Sequence, residues 1–120
     1  GEGLELAGQY LAGLPNAKDT VVLSYYARGC FSYYYPGEST RFKPYYIENS
    51  YEDELLDAIR SADYLIVYYA NQGQNEKYAN LINTLSVVKP VHEIWIDNYK
   101  YEIIYKVSDL PVGVFEALSK

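Results

Sequence analysis

The sequence has few of the side chains from which metal centres and disulfides are built. It contains one cysteine, Cys30, one histidine, His92, and no methionine. A lone cysteine cannot form a disulfide within the chain, and one histidine beside one cysteine falls short of the ligand set of a zinc site. Cysteine usage therefore leaves the redox compartment open, and we predict no metal site.

Basic residues are also scarce. The 120 residues include 10 lysines and arginines against 16 acidic residues, which gives a net charge of −6 and a pI near 4.7. Nucleic acids and anionic membrane surfaces are bound through clustered cations, whereas the basic residues here are scattered along the chain. The charge pattern therefore argues against nucleic acid or an anionic membrane surface as the main partner.

Long apolar runs are absent as well. The longest run, Tyr64 to Ala70, has seven residues, whereas a membrane-spanning helix needs about 20. The first residues lack the basic region and apolar core of a signal peptide. We therefore expect no membrane span in this sequence, and we expect any export signal to lie outside it.

What the sequence does contain is the composition of a folded protein. Hydrophobic residues make up 49% and charged residues 22% of the chain, without a low-complexity tract. The length is sufficient for one hydrophobic core. We predict a single domain over residues 1–120.

Apolar spacing divides the sequence into helices and strands. Leu4, Ala7 and Leu11 recur at helical spacing, whereas the run from Thr20 to Tyr26 is almost continuously apolar, as in a buried strand. In chain order the pattern predicts a helix ending before Pro15, a strand over 20–26, two short aromatic strands or an extended excursion over 27–49, a helix over 50–62, a strand over 64–70, a helix over 78–85, strands over 91–97 and 101–107, and a short helix over 111–120. These units imply an α/β fold of two or three layers, with a mixed, mostly parallel sheet, flanking helices and a C-terminal antiparallel hairpin.

The predicted topology also indicates where a ligand would bind. In sheets of this class, ligands gather beyond the carboxyl ends of the parallel strands. The residues predicted to bind at that edge are Tyr25, Tyr26, Arg28, Asn71, Gln72 and Gln74. The alternative for the segment from Asn71 to Asn75 is a polar loop that only starts a helix.

The sequence is rich in tyrosine, with 16 residues of this type. Adjacent tyrosines in a strand point to opposite faces, and an outward phenol ring is suited to stack on a sugar or to lie at a membrane headgroup layer. We predict this role for Tyr33 and Tyr35, because Pro36-Gly37 keeps their run short and exposed. The alternative is that the tyrosines reflect strand propensity and packing alone.

No catalytic residue is predicted. His92 shares a strand face with Ile94 and Ile96, which favours a half-buried structural side chain over a general base. The acidic cluster Glu52-Asp53-Glu54 offers paired carboxylates, but its position at a helix start explains it without catalysis. No nucleophile elbow, dinucleotide cradle or phosphate-binding loop is present, so no cofactor is predicted.

Motifs along residues 4–108 resemble those of one protein family. They are the helix stop Leu14-Pro15, the strand from Val21 to Tyr26 with Gly29 after it, the strand from Ala62 to Tyr68 followed by Asn71-Gln72, and a closing segment with Pro90, His92, Ile94 to Asp97, Asn98, Tyr101 and Tyr105 to Val107. The pattern resembles the soluble C-terminal domain of bacterial multi-spanning membrane glycosyltransferases related to the dolichyl-phosphate-mannose protein mannosyltransferases and the lipid-A aminoarabinose transferase. Tyr99 stands where these relatives have a turn glycine, so we expect a longer turn here.

The resemblance implies a place and a partner for the chain. It implies an extracytoplasmic domain at the cell membrane whose partner is the membrane-embedded part of the same polypeptide. In that family the catalytic acid and the lipid-phosphate contacts lie in the membrane-embedded part and its first external loops, so no catalytic residue is carried over. The implied function is a non-catalytic domain of a glycosyltransferase that uses a polyprenyl-phosphate sugar donor, shaping acceptor access or stabilising the membrane part, with a sugar or polyprenyl-phosphate-linked sugar as its candidate ligand. Two alternatives stay open: a free-standing carbohydrate-binding module, and a small hydrolase that uses the acidic cluster.

Overall fold

The computed structural model describes residues 2–24, 52–68 and 76–119. Its helices and strands are α1 (Glu2–Ala12), β1 (Val22–Ser24), α2 (Glu52–Arg60), β2 (Tyr64–Tyr68), α3 (Glu76–Leu85), β3 (His92–Ile96), β4 (Tyr99–Lys106) and α4 (Val112–Leu118), with one-turn 3-10 helices at Ala17–Asp19 and Val107–Asp109. Each corresponds to an element predicted from apolar spacing, apart from the two 3-10 turns. The aromatic runs predicted over 27–49 lie outside the described residues. Among the helices that the structure describes, none has the length and apolarity needed to cross a membrane.

The described strands form a mixed sheet in the order β1-β2-β4-β3. β1 pairs with β2 in parallel, whereas β4 pairs antiparallel with both β2 and β3. The α/β class is confirmed for this part of the chain, and so is the C-terminal antiparallel hairpin. The prediction of a mostly parallel sheet is wrong for these strands, because β4 lies between β2 and β3 and pairs antiparallel with both, which leaves β1–β2 as the parallel pair among them.

Burial explains why β4, and not β3, occupies the central position. Four consecutive residues of β4, from Glu102 to Tyr105, are buried, so both faces of this strand are covered. In β3 only Ile94 is buried, and Trp95 is exposed, as is common for an edge strand. A strand that is apolar on both faces gains most from a central position, where helices cover it on either side.

Helices cover the sheet on both faces, which makes three layers. On one face α1 packs on β3 and β4, and its cluster of buried side chains comprises Ala7, Leu11, Ala17, Val22, Ile66, Ile94 and Ile104. On the other face α2, α3 and α4 bury a larger cluster, which includes Leu23, Leu56, Ile59, Leu65, Val67, Leu81, Leu85, Ile103, Tyr105, Val114 and Leu118. The alternation of side chains along β2 and β4 distributes neighbouring residues between the two clusters.

Candidate functional site

The binding residues predicted from the sequence lie outside the described residues: Tyr25, Tyr26, Arg28, Tyr33, Tyr35, Asn71, Gln72 and Gln74. That prediction requires two neighbouring parallel strands, and the described residues contain such a pair. β1 and β2 are adjacent and parallel, with Val22 opposite Tyr64 and Ser24 opposite Ile66. Their carboxyl ends therefore lie at the same edge of the sheet, which is where such folds bind ligands.

The β3–β4 hairpin turns within two residues. Ile96 pairs with Tyr99, and Asp97 and Asn98 between them have φ values of 49° and 69°. Two successive positive φ values define a type I′ turn, and aspartate and asparagine tolerate this conformation better than most residues. The longer turn expected from the sequence is therefore wrong, because Tyr99 is the first residue of β4 and not part of the turn.

A β-bulge beside this turn changes which face of the hairpin Lys100 occupies. Ile94 lies opposite Glu102, but the next pair is Trp95 with Lys100, so Tyr101 is the extra residue. Without the bulge, Lys100 would lie opposite Ile96 on the face that α1 covers. Bulges redirect side chains in this way, and here the bulge places Lys100 opposite Trp95 on the face away from α1.

We use the name hairpin surface for Glu93, Trp95 and Lys100, which are in mutual contact on that face. The side chain of Trp95 is 53% exposed, and its Nε1 donates a hydrogen bond to Oε2 of Glu93 at 3.0 Å. Nζ of Lys100 lies 3.7 Å from the same carboxylate oxygen and 5.6 Å from the centroid of the Trp95 ring. The carboxylate thus binds the indole and the ammonium group at once.

These contacts orient the indole more than they stabilise the fold. A solvent-exposed ion pair contributes about 0–1 kcal/mol, and an exposed cation–π contact about 0.5–1 kcal/mol. The indole itself remains more than half exposed, so a large apolar ring is fixed at the surface without being buried. Tyr99, 76% exposed at the start of β4, adds a second aromatic ring to the same hairpin.

A groove of about 200 Å³ adjoins the hairpin surface. Its lining residues are Val67, Ile82, Asn83, Ser86, Val88, Pro90, Glu93, Lys100, Ile103 and Tyr105. The buried floor is apolar, while the amide of Asn83, the carboxylate of Glu93 and the ammonium group of Lys100 supply both hydrogen-bond donors and acceptors. An exposed aromatic ring thus lies beside groups that can donate and accept hydrogen bonds, which gives the groove both an apolar and a polar side.

On the opposite face of the hairpin, Glu102 is fully buried. Its side chain has 0% exposure, and neither carboxylate oxygen has a hydrogen-bond partner. Burial raises the pKa of Glu102 from 4.5 to about 7, and the positive charge of the chain's amino terminus acts in the opposite direction. Glu102 lies opposite Tyr68, the last residue of β2, and so near the carboxyl end of that strand.

A wider cleft of about 600 Å³ lies at the amino ends of β1 and β2, the edge opposite to the predicted binding edge. Its charged lining residues are Asp19, Arg60, Asp63 and Lys106. Oδ2 of Asp63 accepts a hydrogen bond from the backbone N–H of Val21 at 2.8 Å, which fixes the start of β1 against β2. The cleft carries two charges of each sign, and the carboxylate of Asp63 has a structural role.

His92 has the structural environment predicted for it. It is half-buried, and its ring stacks on Tyr10 of α1 with centroids 4.0 Å apart and an interplanar angle of 3°. The acidic cluster begins α2 at Glu52, in agreement with the helix-start interpretation. No group of three or more histidine, cysteine, aspartate or glutamate side chains that could hold a metal ion lies within residues 2–24, 52–68 and 76–119.

Sequence reasoning missed both Trp95 and Glu102, although a signal for each exists. With the period of two of a strand, the face of His92, Ile94 and Ile96 implies a second face with Glu93 and Trp95. Similarly, Glu102 shares a face with Ile104 and is the only charged residue between Lys100 and Lys106. The bulge, which brings Lys100 to Trp95, has no comparable signal in the sequence.

Two features of the hairpin thus stand out: an oriented tryptophan on one face and an unpartnered buried carboxyl group on the other. Neither feature identifies a protein family, and an α/β fold by itself does not identify a function. Comparison with known proteins adds no family to this geometry: no protein-family model, no curated protein and no solved structure matches the chain.

Proposed function

We propose that this chain is a non-catalytic extracytoplasmic domain of a membrane glycosyltransferase that uses a polyprenyl-phosphate sugar donor, and that its hairpin surface contacts the saccharide acceptor. The sequence resemblance over residues 4–108 supports the parent enzyme. The observation that carries the sugar contact is the exposed indole of Trp95, held by Glu93 and Lys100 beside a groove. The domain would then influence which acceptors reach the membrane-embedded catalytic site.

The chemistry of the hairpin surface supports a saccharide over an apolar ligand. An indole ring stacks on the C–H face of a pyranose, as it does on other apolar surfaces. The carboxylate of Glu93 accepts hydrogen bonds from sugar hydroxyl groups, and the ammonium group of Lys100 donates them. Because these groups already bind each other, little side-chain entropy is lost when a ligand binds, which favours even weak saccharide binding.

The alternative is a free-standing carbohydrate-binding module, which the same hairpin surface supports equally. The two proposals differ in what surrounds the domain in its gene. For a transferase domain, we expect the reading frame that contains these residues to encode several apolar segments of about 20 residues each. A reading frame without such segments would leave the binding module as the better proposal.

Trp95 provides a direct test because it is the only tryptophan in the chain. When it is excited at a wavelength that tyrosine does not absorb, its emission reports on the hairpin surface alone. We expect neutral mono- and disaccharides, and a short-chain polyprenyl-phosphate-linked sugar, to change this emission with saturation in the millimolar range. Unchanged emission with every saccharide and prenyl-linked sugar tested would overturn the proposed contact.

Variants separate ring stacking from other binding. Because aromatic contacts contribute about 0.5–1.5 kcal/mol, Trp95→Ala should weaken binding about 2- to 10-fold, measured by NMR titration. Trp95→Phe should retain part of the affinity. Val112→Ala, at another exposed apolar residue, is the matched control and should bind as the wild type does. Alanine at Tyr33 and Tyr35 tests the residues predicted from the sequence in the same assay.

A further inference from the structure

Glu102 lies between α1 and the sheet without a group to pair with. Its backbone neighbours across the sheet are Tyr68 on β2 and Ile94 on β3. On its own strand it shares a face with Ile104, which α1 buries together with Ala7 and Leu11. The carboxyl group is therefore enclosed by apolar side chains of the α1 cluster, a location where a polar group is normally hydrogen-bonded.

Other titratable groups face the same layer, but none of them binds this carboxyl group. They come from each element packed there: Tyr10 on α1, Tyr64 on β2, His92 on β3 and, on the same face of β4 but exposed, Lys106. Neither oxygen of Glu102 has a hydrogen-bond partner. Burial is therefore the main influence on its pKa, and it raises that pKa.

A buried carboxylate without partners is far less stable than the neutral acid. Removing an ionised carboxylate from water without a compensating charge costs several kcal/mol or more, so such a group takes up a proton. The protonated form has no net charge and is tolerated in the apolar layer. Ionisation must therefore be accompanied by access of water, and among the described elements α1 is the helix packed on this layer.

We propose that α1 is a pH-dependent cover of the sheet, which stays packed on β3 and β4 while the Glu102 carboxyl group is protonated and loosens when that group ionises. The sign follows from linkage. The closed form holds the proton up to a pKa of about 7, whereas a water-exposed glutamate releases it near 4.5. Closure is favoured most at acidic pH, weakens as pH rises from 4.5, and reaches its minimum above 7.

The two pKa values fix the size of the expected effect. If the open form has the ordinary pKa of 4.5 and the closed form a pKa of about 7, the equilibrium constant for opening rises about 30-fold between pH 5.5 and pH 8.5. Amide hydrogen exchange of the complete chain measures this directly, after correction for the intrinsic dependence of exchange on pH. We expect protection of the α1 amides to fall about 30-fold, at a free energy of opening below that of the global unfolding through which the amides of β2 and β4 exchange.

Variants assign the response to one group. Glu102→Gln, which cannot ionise, should make the protection of α1 independent of pH. Glu116→Gln, at an exposed position on α4, should behave as the wild type does. His92→Phe retains a ring against Tyr10 but removes another titratable group from this layer, and it should keep the pH response. Loss of the response in His92→Phe together with its retention in Glu102→Gln would overturn the proposal.

A second measurement does not depend on the folding of any variant. The ¹³C chemical shift of the Glu102 carboxyl group in the wild-type chain should titrate with a midpoint near 7. A midpoint near 4.5 would show a hydrated carboxylate and would also overturn the proposal.

Discussion

Glu93 and Glu102 lie on the two strands of one hairpin, yet their surroundings are opposite. Glu93 is partly exposed and contacts both Trp95 and Lys100, whereas Glu102 is fully buried and has no partner. The carboxylate of Glu93 orients a surface ring at little energetic cost. At Glu102, burial destabilises the ionised form of the carboxyl group. The comparison shows that the face of the strand on which a glutamate lies, set here by register and a bulge, determines whether its carboxylate is paired at the surface or buried without a partner.

The largest expected difference between the two faces is in packing. Ile104 is fully buried on the same face of β4 as Glu102. Ile104→Ala should therefore lower the free energy of unfolding by about 2–5 kcal/mol. Trp95→Ala on the exposed face should lower it by less than about 1 kcal/mol. Urea unfolding at pH 6 measures both variants. Similar losses would mean that the indole is part of the core, contrary to its exposure.

The next difference is in the dependence of stability on pH. Because the pKa of Glu102 is raised, the folded state binds more protons than the unfolded chain between pH 4.5 and about 7. At about 1.4 kcal/mol per pH unit, the free energy of unfolding should fall by up to about 3 kcal/mol as pH rises through that range. Above pH 7 it should fall no further on account of Glu102. Urea unfolding at pH 4.5, 6 and 8 should show this loss in the wild type.

Substitutions at the two glutamates sharpen that comparison. Glu102→Gln should remove most of the loss of stability between pH 4.5 and pH 8, whereas Glu93→Gln should leave it in place, because Glu93 is partly exposed and already has partners. If Glu93→Gln removed the loss and Glu102→Gln did not, the assignment of the two environments would be reversed.

Much of this architecture follows from periodicity in the sequence. Apolar spacing predicted α1, α2, α3 and the strands to within a few residues, because each has one strongly apolar face or is apolar throughout. The sheet order did not follow, since local spacing carries no information on which strand lies beside β2. The central position of β4 goes with the burial of Ile103, Ile104 and Tyr105 on both of its faces, and this burial is established only by tertiary packing.

The hairpin surface shows a second limit of sequence reasoning. Whether Lys100 faces Trp95 or α1 depends on one extra residue, Tyr101, and a shift of one residue reverses every side chain of a strand. Asp97-Asn98-Tyr99 is compatible with a two-residue or a longer turn, and the bulge selects the shorter. The residues predicted to bind at the sheet edge, such as Arg28 and Gln72, lie outside the described residues, so their role remains a prediction.

The turn supports both faces, so its substitution should affect them together. Asn98 has a φ of 69°, a conformation that costs a residue with an ordinary side chain about 1 kcal/mol. Asn98→Ala should therefore lower the stability by about 1 kcal/mol, and Asn98→Gly should be neutral or slightly stabilising. A loss with glycine as large as that with alanine would argue against the type I′ turn.

The smallest expected effect is at Lys100, where the two kinds of contact on the hairpin surface can be separated. Its ammonium group contacts the Glu93 carboxylate and lies over the Trp95 ring, both at a partly exposed site. Lys100→Met retains most of the chain length without the charge and should lower the stability by about 0.5 kcal/mol or less, with the difference from the wild type vanishing at high salt. Because the Nε1 hydrogen bond to Glu93 is independent of Lys100, the indole emission of the variant should keep its wild-type maximum. A large shift of that maximum would mean that the ammonium group, and not the carboxylate, holds the ring in place.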